Sequence, residues 1–130
     1  ILTLLCDVQY DISTGGDLLH ETEDLLLSLV TELRRGTLVL CVLGCTKEPA
    51  YGYALQKRLS EIGVDAEANT LYPLLRRLEK QGLLISSWEL NEPKPRKYYA
   101  RTAEGEVLYQ RLKAFWGEFS ISVTNLLSED

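Results

Sequence analysis

The residues best suited to chemistry in this chain lie on one short amphipathic segment, residues 69–82. With about 100° of rotation per residue, its leucines form one apolar stripe, whereas the opposite side carries hydrogen-bond donors and positive charge. That outer side comprises Asn69, Pro73, Arg76, Arg77 and Lys80. Asn69 or Thr70 is suited to cap the start of a helix here, and Gly82 is suited to end it. The pattern predicts a short basic helix that suits the major groove of DNA.

Arg76 and Arg77 are the candidates for reading bases, because a guanidinium can donate two hydrogen bonds to the edge of a guanine. Such a contact contributes roughly 1–3 kcal/mol of discrimination between bases. Thr70 can place its hydroxyl and its backbone amide on a phosphate, and Tyr72 is equally suited to packing and to a phosphate contact. The alternative is a solvated surface helix whose arginines serve only solubility, which the neighbouring elements argue against.

Two strands are predicted after this helix, over residues 83–90 and 96–102, where aliphatic, β-branched and aromatic residues alternate with polar ones. The connection between the strands contains two prolines, so the hairpin has a stiff, open tip. Arg96 and Lys97 on this wing are expected to meet phosphate or the neighbouring minor groove. The alternative is an edge strand protected by its charges.

A second helix is predicted before the basic one, over residues 51–62, and a brief turn joins the two in helix-turn-helix order. Gly52 at its start permits close approach to a neighbouring element. Tyr51, Lys57 and Arg58 are further candidates for phosphate contacts, although the lysine and the arginine are equally explained as surface residues.

The first third of the chain is predicted to contain two helices and an extended segment. Residues 38–45 are almost wholly apolar and indicate a buried helix, capped by Thr37 after a break near residues 35–37. An amphipathic helix is predicted to begin at Asp17. Residues 1–16 alternate weakly and indicate an extended segment followed by a turn.

A long C-terminal helix is predicted from Thr102, its N-cap, to about Leu127. Its apolar positions recur every three or four residues and include Leu108, Leu112, Phe115, Phe119 and Leu126. This apolar face is wider than one small domain can cover, which favours a dimer interface. Trp116 on the same helix suits the core of a dimer better than a ligand platform.

Charge is distributed unevenly along the chain, although the net charge is −5. Residues 1–33 carry seven acidic residues and neither lysine nor arginine, whereas residues 70–101 carry seven basic residues against three acidic ones. A basic patch on an acidic body is the electrostatic pattern of a DNA-binding module. The odd number of cysteines and the lack of a secretory signal or a membrane-spanning run predict a reduced, cytoplasmic protein.

Enzyme chemistry finds little support in the sequence. There is no glycine-rich phosphate loop, nucleophile motif or histidine placed for general-base work. Cys41 and Cys45 stand one helical turn apart and could ligate a metal, but their aliphatic neighbours favour simple packing. We therefore expect neither a metal nor a cofactor.

The chain resembles the PadR family of winged-helix transcriptional regulators over roughly residues 33–127. The resemblance rests on Arg35-Gly36-Thr37-Leu38, Tyr51-Gly52-Tyr53-Ala54-Leu55, the whole run of residues 69–78, Gly82-Leu83-Leu84, and Pro95-Arg96-Lys97-Tyr98-Tyr99 with Thr102 and Gly105. It implies a bacterial repressor that forms a homodimer through its N-terminal and C-terminal helices. It also implies a pseudo-palindromic operator in double-stranded DNA and release by phenolic or drug-like effectors.

The resemblance also bears on the aromatic residues of the C-terminal helix. Multidrug-binding members of the family place a tryptophan on this helix, facing its symmetry mate. Trp116, with neighbouring aromatic residues, is therefore the candidate for a site at which a small aromatic effector stacks between two subunits. The residues of this candidate site are Tyr109, Phe115, Trp116 and Phe119.

These observations predict a mainly α (α+β) chain built around a winged helix-turn-helix with a two-stranded wing. Residues 1–33 and 103–130 are assigned to dimerisation and residues 34–102 to DNA binding. The predicted function is that of a sequence-specific regulator, with repression relieved by an aromatic effector. The alternative is a winged-helix protein-interaction module that does not bind DNA.

Overall fold

The computed structural model describes residues 16–130 except residue 92, and the segment expected to be extended lies almost entirely outside this range. The described part contains four helices and three strands. In chain order they are α1 (Gly16–Cys45), β1 (Ala50–Tyr51), α2 (Gly52–Glu61), α3 (Ala68–Lys80), β2 (Leu84–Glu89), β3 (Arg96–Arg101) and α4 (Ala103–Leu127). None of these helices is both long and apolar enough to span a membrane.

Helix α1 is continuous, so the predicted break near residues 35–37 is wrong. A glycine inside a helix costs only about 1 kcal/mol relative to alanine, and Gly36 is tolerated here without interrupting the helix. Thr37 does not act as an N-cap, because its hydroxyl donates to the Arg34 carbonyl at 3.0 Å within the helix. The chain divides between Thr37 and Leu38 into two compact units, and α1 contributes to both of them.

The second unit, residues 38–130, contains one hydrophobic core. It comprises Leu38, Val42 and Leu43 of α1, Leu55 and Leu59 of α2, Leu71, Leu74, Leu75 and Leu78 of α3, and Leu84 and Tyr99 of the sheet. The four leucines of α3 are the stripe predicted from the sequence, which is therefore confirmed. Burying such a side chain stabilises the fold by roughly 1.5–3 kcal/mol, so the core fixes the orientation of α3.

The sheet has three antiparallel strands in the order β1-β3-β2, with β3 in the centre. The predicted wing, β2 with β3, is confirmed, and Trp88 lies opposite Lys97 within it. The sequence did not predict the third strand, β1, which pairs with β3 through Ala50 opposite Tyr99 and Tyr51 opposite Tyr98. A strand of two residues is too short to show any alternation in sequence.

The start of α4 is fixed by local contacts. Thr102 is the N-cap, as predicted: its hydroxyl oxygen accepts from the Gly105 amide at 2.9 Å, and the hydroxyl donates to the Gly82 carbonyl at 2.6 Å. A Cβ at Gly105 would lie 2.1 Å from the Leu83 carbonyl oxygen, so a larger residue does not fit. The helix ends at Leu127, close to the predicted position.

Candidate nucleic-acid interface

Helix α3 presents the predicted basic face to solvent. Arg76, Arg77 and Lys80 are exposed, as are Asn69 and Pro73. Within the described part of the chain, neither arginine side chain makes an ion pair or an intramolecular hydrogen bond. Because the opposite face is buried in the core, the two guanidinium groups extend from a rigid support and keep their donors available.

The predicted caps of α3 are partly wrong. The N-cap position belongs to Glu67, which makes no side-chain capping bond, and Asn69 and Thr70 lie inside the helix. The Thr70 amide donates to the Glu67 carbonyl at 2.9 Å, so only the exposed hydroxyl is suited to the predicted phosphate contact. Gly82 ends the helix as predicted, with a φ of +80° that favours glycine.

Pro73 lies within the second turn of α3. Proline has no amide hydrogen, so it cannot donate to the carbonyl four residues earlier, which belongs to Asn69. That carbonyl therefore lacks its usual helical donor, on the exposed face and near the helix start. Asn69 and Pro73 consequently offer acceptor groups and a flat apolar surface beside the arginines.

Tyr72 is half-buried and packs against α2. A Cβ at Gly52 would lie 2.3 Å from Cε1 of the Tyr72 ring, so the glycine permits this close approach. The expectation for Gly52 is thereby confirmed. Of the two roles considered for Tyr72, the structure shows packing, and the phosphate contact stays a prediction.

Arg96 and Lys97 are adjacent on β3 and therefore point to opposite faces of the sheet. The Lys97 ammonium lies 3.6 Å from Oε2 of Glu79 on α3 and 5.3 Å from the centre of the Tyr99 ring. Oε1 of Glu79 accepts from the Ser86 hydroxyl at 2.8 Å. Lys97 thus helps to attach the wing to α3, and its predicted contact with DNA stays a prediction.

Arg96 is exposed, and its guanidinium carbon lies 4.7 Å from the centre of the Tyr51 ring. Tyr51 also contacts two other rings, Tyr98 at 5.6 Å and Tyr53 at 6.4 Å between centroids. The structure therefore brings two sequence-predicted site residues, Tyr51 and Arg96, into direct contact. The sequence did not indicate this pair, because β1 was not predicted.

Arg101 is a structural residue that the sequence counted only as part of the basic patch. Its side chain is 6% exposed, donates to the Leu43 carbonyl at 2.6 Å and forms an ion pair with Glu106. It also lies 4.3 Å from the centre of the Tyr109 ring. Because Leu43 is 58 positions away in sequence, no local pattern distinguishes this arginine from those on the surface.

The pKa of Glu106 is lowered, chiefly because its carboxylate accepts a hydrogen bond from Gln110 and, secondarily, because Arg101 lies beside it. The carboxylate therefore stays charged and keeps its ion pair with Arg101. This pair joins β3 to the first turn of α4, and the bond to Leu43 joins both to the end of α1.

The four residues of the candidate effector site fall into two groups. Tyr109 is half-buried beneath Arg101, and a Cβ at Gly44 would lie 3.4 Å from its ring. Phe115 and Phe119 are exposed and stack with 5.4 Å between their centroids. Trp116 is 42% exposed. Tyr109 thus belongs largely to the fold, whereas the other three present an aromatic surface to solvent.

Cys41 and Cys45 are half-buried and pack against the core, as predicted. Burial raises the pKa of both thiols. At Cys45 the positive charge of Arg58 on α2 partly opposes this rise in pKa. In the part of the chain that the structure describes, no cluster of three or more histidine, cysteine, aspartate and glutamate residues could hold a metal ion.

Comparison with known proteins agrees with this geometry. The family model of the transcriptional regulator PadR-like family matches residues 39–111, more than half of the chain. The chain belongs to the PadR-like family. A PadR family transcriptional regulator from Eggerthella lenta DSM 2243 is 50% identical, with a TM-score of 0.78 over 85% of this chain and 99% of that one.

Two further solved structures support the assignment. A PadR-like transcriptional regulator from Bacillus cereus strain ATCC 14579 is 32% identical, with a TM-score of 0.67 over 74% of this chain and 96% of that one. A transcriptional regulator from Clostridium thermocellum is 30% identical, with a TM-score of 0.65 over 72% and 95% of the two chains. No curated protein matches this chain significantly.

Members of the PadR-like family are transcriptional regulators and not enzymes. The predicted family and the predicted α+β winged fold are therefore confirmed. Family membership and the exposed basic face of α3 together indicate a DNA-binding regulator.

Proposed function

We propose that this protein binds a pseudo-palindromic operator as a homodimer and represses transcription until a small aromatic effector binds. The observation that carries the proposal is the contrast between the two faces of α3. One face is locked into the core by four leucines, and the other presents Arg76 and Arg77 with their donors available. A rigid helix with exposed bidentate donors is suited to reading base edges.

Two copies are needed because one short helix reads only a few base pairs. Recognition helices of a dimer contact half-sites about one turn of DNA apart, so the dimer interface sets the spacing. Helix α4 supports this role, since most of its apolar side chains are exposed in the single chain. Residues 1–33 and 103–130 are accordingly proposed to provide dimerisation, and residues 34–102 to bind DNA.

The proposed effector site lies on α4 around Trp116, Phe115 and Phe119. In a homodimer these rings would be present twice, and a flat aromatic ligand between them would change the spacing of the two α3 helices. Tyr109 would contribute only at the edge of such a site, because Arg101 covers its ring. Titration of planar aromatic compounds against tryptophan fluorescence tests the site, with Trp88→Phe and Trp116→Phe variants separating the two signals.

DNA binding is tested by fluorescence anisotropy with duplexes from the region upstream of the protein's own gene, since regulators often lie beside the genes they control. The variant Arg76→Ala/Arg77→Ala is expected to weaken binding about 30-fold or more, because two bidentate contacts are lost. The matched control is Arg34→Ala/Arg35→Ala, which removes an adjacent arginine pair from α1. Equal losses of DNA affinity in the two variants would mean that binding depends only on the net charge of the protein.

Salt dependence provides the second measurement. The logarithm of the wild-type affinity is expected to fall steeply with the logarithm of salt concentration, because phosphate contacts release counterions. A protein-interaction module without DNA binding is the competing function, and the exposed apolar face of α4 favours it. That reading would be supported if no duplex bound at low salt while the chain still associated through α4.

A further inference from the structure

We propose that Tyr51 is a positioning residue whose ring holds the Arg96 guanidinium in place for contact with DNA. This inference rests on the proposed function and deepens it. The sequence predicts a phosphate contact for Tyr51. The geometry points instead to the face of the ring as the functional part of the side chain.

Strand pairing places the two residues on the same face of the sheet. Tyr51 lies directly opposite Tyr98 across the β1–β3 pair, and Arg96 precedes Tyr98 by two positions, so it is a diagonal neighbour of Tyr51. Long side chains reach across this diagonal. The observed distance of 4.7 Å between the guanidinium carbon and the ring centroid lies inside the range of about 6 Å for a cation–π contact.

The ring of Tyr51 is itself held on several sides. Its backbone is extended, with φ −88° and ψ 157°, and forms the junction between β1 and α2. Tyr98 packs against the ring at an interplanar angle of 59°, and Tyr53 stacks beside it at 25°. The Arg96 guanidinium therefore lies over a ring that the sheet and α2 both orient.

Stacking on the ring is compatible with a contact to phosphate. A guanidinium that lies flat on a ring uses one face for the contact, and its N–H groups point outward in its plane. An arginine stacked on an aromatic ring can therefore also donate to a phosphate oxygen or to the minor groove. Holding the side chain in advance lowers the entropy that it loses on binding.

Lys97, the residue after Arg96, has different surroundings. It follows Arg96 directly but points to the other face of the sheet, where Glu79 holds its ammonium at 3.6 Å. The two neighbouring cations thus lie on opposite faces of the sheet, with Lys97 beside a carboxylate and Arg96 over an aromatic ring.

The first experiment measures the full chain without DNA. NMR of the Arg96 side chain is expected to show Hδ and Hε signals shifted upfield by the ring current of Tyr51. The shift should persist in Tyr51→Phe and disappear in Tyr51→Leu. Its absence from the wild-type protein would overturn the platform irrespective of any DNA result.

The second experiment measures operator affinity by anisotropy. Tyr51→Phe keeps the ring and should weaken binding by less than about twofold, whereas Tyr51→Leu should weaken it by about two- to fivefold. Tyr51→Leu in an Arg96→Ala background should cause no further loss, because the ring then has no arginine to hold. The matched control is Tyr51→Leu in an Arg76→Ala background. There the fold losses in affinity of the two single variants should multiply.

Arg96→Lys gives a test that leaves the sheet untouched, because lysine keeps the charge but lacks the planar group that stacks. It should weaken binding about as much as Tyr51→Leu. A loss in Tyr51→Phe equal to that in Tyr51→Leu would assign the role to the hydroxyl and overturn the proposal. The proposal would also be overturned if the affinity losses of Tyr51→Leu and Arg96→Ala multiplied in the double variant.

These experiments distinguish a failure of the proposed DNA binding from a failure of the positioning role of Tyr51. If the wild-type chain binds no DNA although the Arg96 signals are shifted, the proposed function is overturned and the positioning role with it. If the wild-type chain binds DNA and the coupling between Tyr51 and Arg96 is absent, only the positioning role is overturned. Far-UV circular dichroism and thermal melting of each variant show whether its fold is retained.

Discussion

Helices α3 and α4 use their apolar side chains in opposite ways. On α3, Leu71 and Leu75 are 0% exposed and belong to the core of their own chain. On α4, Phe115 is 61% exposed and Leu126 is 63% exposed. The apolar residues of α3 are thus satisfied by the fold of one chain, whereas those of α4 remain available to a second surface.

The two helices show that apolar residues at helical spacing can serve either the core of one chain or contact with a second surface. A buried stripe fixes the position of a helix whatever its partners, and the polar face opposite it then serves recognition. An exposed apolar face adds little to the stability of a single chain. It contributes its full burial free energy only when a second surface covers it on association. Arg101 connects the core to the helix with the exposed apolar face: it lies between the end of α1, the end of β3 and the first turn of α4.

The largest effect on stability is expected from Leu75→Ala. Removing this buried side chain should lower the free energy of unfolding by about 2–5 kcal/mol, because transfer and cavity costs add. Urea unfolding followed by circular dichroism measures the loss. Leu126→Ala on α4 is the matched control, and a loss of similar size at low protein concentration would show that α4 is packed as tightly as α3 within one chain.

A somewhat smaller effect is expected from Arg101→Ala. The variant leaves the Leu43 carbonyl and Glu106 without this partner, and lost charge-assisted hydrogen bonds typically cost about 1.5–3 kcal/mol. Arg111→Ala removes an exposed arginine from α4 and should change the unfolding free energy little. If both variants unfold at the same denaturant concentration, Arg101 does not join α4 to the winged part.

The third prediction concerns association. Phe115→Ala should weaken the proposed dimer by about 2 kcal/mol, or roughly 30-fold in dissociation constant, if the ring is a central interface residue. Sedimentation equilibrium over a range of concentrations measures this change, and the stability of the monomer should be nearly unaffected. Glu118→Gln on the same helix is a control for non-specific effects, and a monomeric wild-type chain would refute the prediction.

The smallest effect is expected from the two half-buried thiols. The folded-state pKa of Cys41 and Cys45 is raised from the ordinary value of 9.0, so the fold favours the protonated form. Their contribution to stability is therefore complete below about pH 9. It is lost as the pH rises from there through the raised folded-state pKa, because the unfolded thiols ionise first.

Urea unfolding between pH 7 and pH 10 measures this loss, in a Cys6→Ser background that removes the thiol outside the described residues. The decline above pH 9 should be smaller in Cys41→Ala/Cys45→Ala, because this variant lacks both thiols. Identical pH profiles for the two proteins would show that the thiols do not titrate differently in the folded and unfolded states.

Local signals predicted much of the fold and of the candidate site. The leucine stripe of α3, the cap at Thr102 and the glycine at position 82 depend on spacing within a few residues, and the structure confirms each of them. The continuity of α1 was missed because a glycine and a threonine together resemble a helix boundary. Strand β1 was missed because two residues show no periodicity.

Contacts between distant residues account for the rest. The sequence contains the charges of Arg96, Lys97 and Arg101 within six positions, but not their different environments. Strand register decides that Lys97 meets Glu79 and that Arg96 meets Tyr51, and a shift by one residue would exchange the two faces. Arg101 is buried only because the end of α1 supplies a carbonyl acceptor next to it.

The family, the winged helix-turn-helix and the basic outer face of α3 are predictable from the sequence, because those properties follow from residue types at short spacings. Which cations remain on the surface depends on tertiary packing, since their environments come from residues on other helices and strands. It also showed that Tyr109 is held under Arg101 while Phe115 and Phe119 remain exposed. That distinction requires the packing of α4 against β3 and the end of α1, which no local pattern encodes.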